Sequence, residues 1–301
     1  MKSAVRSMDA VPQRRVAGES RLVAMWALYG LTIRQHLHGK RWMVMSVLLA
    51  LPAILALVIR LTSPDALTRE VEFMLEFMLV PQALLPLVAL VYAAGIIQDE
   101  QEEQTLTYLL IRPISKPAIF AVKLLATLTT TVALTWAATG LTYAAIFVGA
   151  EAGSDGTLLR CAKAAGIHSL AVIAYCCLFS LMSLVTRWTL ISGILYTAIV
   201  EGLLANLPFG IRLITVIYYT RLIAYHNLDF NITVGPQNFE RTQNIAADAW
   251  QYELVKDPDM SAHPTVQSCI LILAGVSFAM SLFAAFLCAR REFYVKTPET
   301  A

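Results

Sequence analysis

Residues 98–123 read QDEQEEQTLTYLLIRPISKPAIFAVK, an acidic, helix-forming segment followed by a turn that two prolines bracket. Long apolar runs lie on both sides of this stretch. A charged helix between two membrane-spanning segments avoids the hydrocarbon, because each Asp there costs about 2.5–3.5 kcal/mol on insertion scales. We therefore expect the segment to lie outside the lipid and to contact a protein partner.

The composition of the whole chain is typical of a protein that crosses a membrane several times. Hydrophobic residues make up 57% of the 301 residues and charged residues only 15%, with a mean hydropathy of +0.63. Soluble domains contain about a quarter charged residues. The net charge of +2 is too small to indicate nucleic-acid binding. We predict an all-α polytopic membrane protein.

Six apolar runs are long enough to cross a bilayer, whose hydrocarbon core of about 30 Å needs about 20 helical residues. These runs are residues 42–61, 78–97, 118–149, 165–186, 189–206 and 266–289. We therefore expect a six-helix transmembrane permease domain over residues 42–301, preceded by a cytoplasmic tail and interfacial helix at 1–41.

The distribution of basic residues predicts the orientation of these spans. If both termini are cytoplasmic, fifteen of the 23 Lys and Arg residues lie on the cytoplasmic side. An excess of Lys and Arg in cytoplasmic loops is the general rule for such proteins. We therefore expect both termini in the cytoplasm.

Residues 19–38 are predicted to form an amphipathic elbow helix before the first span. Apolar side chains recur there at helical spacing: Leu22, Met25, Trp26, Tyr29, Ile33 and Leu37. A helix with one apolar and one basic face lies in the membrane interface. The alternative is a helix that packs on a soluble partner.

The stretch between the last two spans divides into two parts. Residues 207–225 are apolar but contain Arg212 and Arg221, which leave too few uncharged residues for a crossing. We expect a re-entrant or interfacial helix there. Residues 226–264 are polar, with six Asp or Glu against two Lys or Arg, and are predicted to form an external loop or cap.

Sequence motifs for catalysis are missing from the chain. It contains no HExxH, GxSxG or CxxC motif and no GxxxxGK[ST] loop to hold a nucleotide phosphate. We therefore expect no catalytic residue, no metal and no cofactor, and ATP hydrolysis would belong to another protein.

The fifth span contains an ionisable residue, Glu201, with Asn206 beyond it near the same end. A carboxylate in a membrane span faces protein or water rather than lipid. Two interpretations stay open at this stage: Glu201 and Asn206 line a translocation path, or they make hydrogen-bonded helix contacts. His168 and Tyr175 in the fourth span have the same two interpretations.

The segment 98–117 has the pattern of a short amphipathic helix that continues from the second span. Four acidic residues open it and three leucines follow at helical spacing: Asp99, Glu100, Glu102 and Glu103, then Leu106, Leu109 and Leu110. Prolines at 113 and 117 then turn the chain. Anionic headgroups would repel the acidic residues, so a protein groove suits the leucines better than lipid.

This segment resembles the cytoplasmic coupling region of type-2 ATP-binding-cassette (ABC) exporter permeases. That region has an acidic stretch, Thr-Leu and Leu-Leu pairs, an Arg-Pro-x-Ser-basic turn and a later Lys. The corresponding residues here are Glu100, Glu102, Thr105-Leu106, Leu109-Leu110, Arg112-Pro113-Ile114-Ser115-Lys116 and Lys123. Gln104 stands where the family usually has Gly. The likeness is greatest to the subfamily of the nitrous-oxide-reductase maturation permease.

The resemblance implies a permease subunit of an ABC exporter in the inner (plasma) membrane, in contact with lipid. A separate cytoplasmic ABC ATPase subunit, which binds the ATP, would dock on this coupling helix. A second permease copy or a paralogue would complete the transporter. The resemblance assigns docking to Asp99, Glu100, Glu102, Thr105, Leu106, Leu109, Leu110, Arg112 and Pro113. The alternative is a non-transporting membrane scaffold or immunity-type protein of the same fold.

Reporter fusions test the predicted topology. Fusions at residues 20, 108 and 295 are expected to give a cytoplasmic signal, and fusions at 155 and 245 an external signal, because the basic residues are concentrated on one side. Alkaline phosphatase and green fluorescent protein fusions provide the measurement. A cytoplasmic signal at 245 would make residues 207–225 a seventh span and contradict the six-span topology.

Overall fold

The structure is a computed structural model that describes residues 13–63, 68–102, 115–147, 156–207, 210–234, 241–252 and 260–290. Within these ranges, six helices are long and apolar enough to cross a membrane. Apart from one short hairpin, the described elements are helical. The prediction of an all-α polytopic membrane protein is confirmed.

The chain begins with α1 (Gln13–His38), and α2 (Lys40–Thr62) forms the first span. The second span consists of α3 (Thr68–Glu72), a π-helical segment (Phe73–Leu84) and α4 (Leu85–Glu102). The third and fourth spans are α5 (Lys116–Ile146) and α6 (Thr157–Val185). The fifth combines α7 (Thr189–Tyr196), a second π-helical segment (Thr197–Leu203) and a 3-10 turn (Leu204–Asn206).

A 3-10 turn (Gly210–Ile214) and helix α8 (Val216–Asn227) follow the fifth span. Strand β1 (Asn231–Val234) pairs antiparallel with β2 (Arg241–Asn244), and Asn231 lies opposite Asn244. Helix α9 (Ile245–Ala249) continues from β2, and α10 (Val266–Arg290) is the sixth span.

Two spans begin earlier than their hydropathy predicts. The second span begins at Thr68 rather than at residue 78, and the fourth span begins at Thr157 rather than at residue 165. Charged residues interrupt the apolar pattern at both places, so hydropathy alone assigns residues 68–77 and 157–164 to loops. In the structure, Glu72 and Glu76 are fully buried, because neighbouring helices enclose this part of the second span.

The second, third and fourth spans form the centre of the bundle. Leu85, Val88 and Phe120 pack there against Tyr175 and Phe179, all of them almost completely buried. The first, fifth and sixth spans keep most of their apolar surface exposed. Lipid or another protein therefore has to cover those three helices.

Helix α1 packs along α5. Leu28 contacts Ile119 and Val122, and the Tyr29 hydroxyl donates to Thr129 Oγ1 at 3.0 Å. Trp26 is exposed, so only part of the predicted apolar face is covered by this chain. The placement of α1 in the membrane interface stays a prediction.

The region after the fifth span packs against the bundle. Helix α8 lies against α6 and α10, and its residues from Ile217 to Ala224 are buried. Phe230 and Trp250, from the segment that contains the β hairpin, meet Phe73 of the first π-helical segment at 5.4 and 5.2 Å between ring centroids. The hairpin and α9 thus belong to the same folded unit as the spans, and α8 is not one of the six spans.

Candidate functional site

The two flanks of the predicted coupling segment belong to regular helices. Helix α4 ends at Glu102, and α5 starts after Ser115, with Pro117 in its first turn. The backbone at Asp99, Glu100 and Glu102 is helical. The other predicted docking residues lie outside the described residues: Thr105, Leu106, Leu109, Leu110, Arg112 and Pro113.

Gln98 joins the end of α4 to the connection between α6 and α7. Its side-chain nitrogen donates to the Thr186 carbonyl at 2.9 Å and to Thr189 Oγ1 at 2.8 Å. The Ser183 carbonyl is a further acceptor at 3.4 Å. One amide group therefore connects the residue that precedes the acidic stretch with two other spans.

Lys123 makes the corresponding connection from α5. It is buried, and its Nζ donates to the Ile96 carbonyl at 3.0 Å. Helix α7 also lies very close to α4, because a Cβ at Gly193 would overlap the Leu90 side chain. This part of the bundle, where Gln98 and Lys123 lie, is termed the Gln98 end.

Threonines line the face of α5 that runs from the Gln98 end toward the opposite end. Six threonines of α5 are buried: Thr127, Thr130, Thr131, Thr135, Thr139 and Thr142. The hydroxyls of Thr131, Thr135 and Thr142 donate to carbonyls four residues earlier on their own helix. These bonds satisfy a hydroxyl without a partner helix. Thr139 differs, because its hydroxyl contacts His168 Nδ1 at 3.1 Å.

An ion pair between the buried Glu72 and the partly exposed Arg160 lies at the opposite end of the bundle, termed the Glu72 end. Arg160 donates from Nε to one Glu72 oxygen at 3.1 Å and from Nη2 to the other at 3.0 Å. The Tyr143 hydroxyl donates to Glu72 Oε1 at 2.6 Å. Bidentate pairing of this kind joins the second, third and fourth spans and satisfies both oxygens of the carboxylate.

Glu76 and His168 meet one turn deeper in the bundle. His168 Nδ1 is 3.5 Å from Glu76 Oε2, and His168 Nε2 is 3.0 Å from the backbone carbonyl of Glu76. Both residues are completely buried. From the sequence, His168 could line a path or make a helix contact. In the structure it has three polar neighbours: the carboxylate and the carbonyl of Glu76 and the hydroxyl of Thr139.

Glu201 binds the beginning of α8. Its two oxygens accept from the backbone nitrogens of Val216 and Ile217, each at 3.0 Å, and the Tyr196 hydroxyl donates to it at 3.0 Å. A carboxylate is favourable at a helix N-terminus, where backbone N–H groups lack partners and the helix dipole is positive.

Asn206 binds the same helix further along. Its Oδ1 accepts from Arg221 Nη1 at 2.9 Å, and its Nδ2 donates to the Gly202 carbonyl at 2.6 Å. Burial lowers the pKa of the Arg221 guanidinium and raises the pKa of the Tyr252 phenol near it. Both candidate path residues, Glu201 and Asn206, therefore form hydrogen bonds to α8 from the end of the fifth span.

The sequence interpretation missed the Glu72 and Glu76 pair. Their signal was present, since two carboxylates four residues apart lie on one helical face, with apolar residues around them. Their partners Tyr143 and Arg160 come from distant parts of the chain, and pattern alone does not identify them.

Comparison with known proteins assigns the chain to a family. The family model described as "ABC-2 family transporter protein" matches residues 37–204, more than half of the chain. The match covers the first five spans and the predicted coupling segment. A search of curated proteins gives no match. The chain belongs to the ABC-2 family of transporter proteins and is a multi-pass membrane protein of a transport system.

Proposed function

We propose that the chain is the permease subunit of an ABC exporter and that a separate ATPase subunit docks on residues 98–117. The observation that carries this proposal is the bonding of both flanks of the segment. Gln98 binds the α6–α7 connection on one flank, and Lys123 binds α4 on the other. The partner supplies ATP hydrolysis.

The bonds at the Gln98 end give a docked ATPase a way to move several spans together. A displacement of the segment pulls on the end of α4 and the beginning of α5, which are covalently continuous with it. Gln98 passes the displacement to the α6–α7 connection. Rigid-body movement of packed helices is a common form of switching between two states.

The proposal includes the cell inner (plasma) membrane, cytoplasmic termini and a second permease subunit, either an identical copy or a paralogue. Exposed apolar side chains on α2, α7 and α10 offer surface for that subunit and for lipid, among them Val47, Ile194 and Phe278. The likeness of residues 100–123 to the nitrous-oxide-reductase maturation permease subfamily supports the further proposal that the chain belongs to that subfamily.

We extend the proposal to the path itself. Glu201 and Asn206 hold α8 against the end of the fifth span, so α8 covers the polar groups that a substrate would meet there. Release of α8 would expose the buried Glu201 and Arg221 next to Asn206, which is already exposed. In this proposal the helix closes one end of the path, and the carboxylate of Glu201 is its latch.

The docking of the ATPase is tested by aspartate substitutions in the leucine stripe. Leu106→Asp or Leu109→Asp is expected to release the ATPase, since an unpaired polar group buried in a contact costs several kcal/mol, about 2–7. The spans should still insert, because residues 106 and 109 lie outside the predicted spans. Co-purification of the ATPase in mild detergent and substrate-stimulated ATP hydrolysis are the measurements.

Gln104→Asp is the matched control, because helical spacing puts residue 104 on the face opposite Leu106. Glu100→Lys should weaken docking less and in a salt-dependent manner, since an exposed ion pair contributes about 0–1 kcal/mol. Undiminished co-purification with both Leu variants would remove the docking assignment. An ATPase that binds without any substrate-stimulated hydrolysis would favour the scaffold alternative.

The latch is tested by Glu201→Gln. The amide keeps one acceptor oxygen but turns an N–H₂ group toward a backbone N–H, so the cap on α8 is weakened by about 1 kcal/mol. The protein is expected to assemble with its ATPase but to show altered substrate-stimulated hydrolysis and greater labelling of a cysteine placed in α8. Wild-type transport and labelling would leave Glu201 with a purely structural role.

A further inference from the structure

Two buried carboxylates lie one turn apart on the second span in very different surroundings. Glu72 receives bonds from Arg160 and Tyr143 on both of its oxygens. Within the described part of the chain, neither carboxyl oxygen of Glu76 has a hydrogen bond. The nearby Thr142 hydroxyl donates instead to the Ala138 carbonyl at 2.9 Å. An ionised Glu76 would therefore be a buried charge, and the Thr142 hydroxyl could bond it only by giving up the Ala138 carbonyl.

The bonds of His168 restrict where hydrogens lie around Glu76. The backbone carbonyl of Glu76 only accepts, so the hydrogen in its 3.0 Å contact with His168 is on Nε2. In the neutral ring, Nδ1 then carries a lone pair that faces Thr139 Oγ1 and Glu76 Oε2. A neutral His168 beside an ionised Glu76 would set two lone pairs against each other at 3.5 Å.

One proton on the pair removes this conflict. It resides on Glu76, which then donates toward Nδ1, or on His168, which then faces a carboxylate. Full protonation leaves a buried cation, and full deprotonation leaves a buried anion. The pair is therefore neutral only with a single proton. Burial favours a neutral acid and a neutral ring over two separated charges.

Other charged groups near this turn are already engaged. Arg160 directs two nitrogens to Glu72, and Arg60 bonds the Ile146 carbonyl and Thr68. The segments that pack around it carry further titratable or charged groups, namely Arg41, Arg69, Glu70, Tyr92, Cys161, Lys163, Tyr175, Cys176, Cys177, Glu201, Tyr218, Tyr219, Arg221, Tyr225 and His226. Arg60, Arg160 and Arg221 each bond other groups, so none of these three cations compensates Glu76.

The irregular backbone around Glu76 and a small cavity beside it give the π-helical segment room to rearrange when Glu76 gains or loses a proton. Glu76 lies in the π-helical segment, which contains Pro81, a residue without a backbone donor. π-helical turns occur frequently at functional sites. A small cavity beside the segment has Thr135, Thr139 and Thr142 in its wall and a volume of about 10 Å³, near the space that one water needs. Thr139 joins this cavity to His168.

We propose that Glu76 and His168 form a one-proton binding site in the membrane core, with the proton on the Glu76 carboxyl group. The proton comes from water and returns to water: an O–H bond forms on loading and breaks on release, with no redox change. Release leaves a buried anion in the π-helical segment, which drives that segment to rearrange. This site goes beyond the proposed transport function, and its test does not require a substrate.

Infrared difference spectroscopy of the full-length protein in lipid nanodiscs tests the site. At neutral pH the wild type is expected to show the C=O band of a protonated carboxylic acid that shifts on ¹³C-glutamate labelling and in D₂O. Glu76→Gln should lose this band. Glu70→Gln is the matched control, because Glu70 is exposed on the same helix, and it should keep the band.

A second pair of measurements keeps the proposal testable if Glu76→Gln does not fold. His168→Gln should shift the frequency of the band, since the acid loses its imidazole acceptor. Nitrogen-15 magnetic resonance of the wild type should show His168 as neutral, with the hydrogen on Nε2. The proposal is overturned by a neutral-pH spectrum without the band, by a band that persists in Glu76→Gln or is unmoved in His168→Gln, or by an imidazolium signal from His168.

Discussion

The hydrocarbon of a membrane offers no hydrogen-bond partners, so each buried polar group in the bundle has to find its partner within the protein. Thr131 and Thr135 on α5 meet this constraint with carbonyls of their own helix. Glu72 meets it with a guanidinium and a phenol from two other spans, and Glu201 with the beginning of α8. Removing one partner of the Glu72–Arg160 ion pair costs up to about 3–5 kcal/mol, so this pair favours one arrangement of the second and fourth spans.

The same constraint arranges the two ends of the bundle differently. At the Glu72 end, an ion pair fixes the second span to the third and fourth. At the Gln98 end, the neutral side-chain amide of Gln98 donates to the Thr186 carbonyl, and Lys123 Nζ donates to the Ile96 carbonyl. These bonds connect the helix ends on which the proposed ATPase would act through residues 98–117.

Much of this fold follows from the sequence, because six apolar runs report spans by length alone. The elements that sequence reasoning missed depend on tertiary partners. Glu72 and Glu76 interrupt the hydropathy of the second span, and they are buried against Arg160, Tyr143 and His168, which are distant in the chain. Glu201 was identified from its position in an apolar run, but its bond to α8 needs a chain reversal that hydropathy does not encode.

The central claim is that movement of the coupling segment reaches the bundle through Gln98. Gln98→Glu has nearly the same shape but replaces the donor with an acceptor that faces the Thr186 carbonyl. Leaving the Thr186 carbonyl and the Thr189 hydroxyl without this donor costs about 1–3 kcal/mol, and a cost of about 1.4 kcal/mol within that range changes an equilibrium constant tenfold. The account predicts that the ATPase still co-purifies and that substrate-stimulated hydrolysis falls about tenfold. Gln35→Glu, the same charge change at an exposed residue outside residues 98–117, should retain stimulation. Full stimulation in Gln98→Glu would contradict the account.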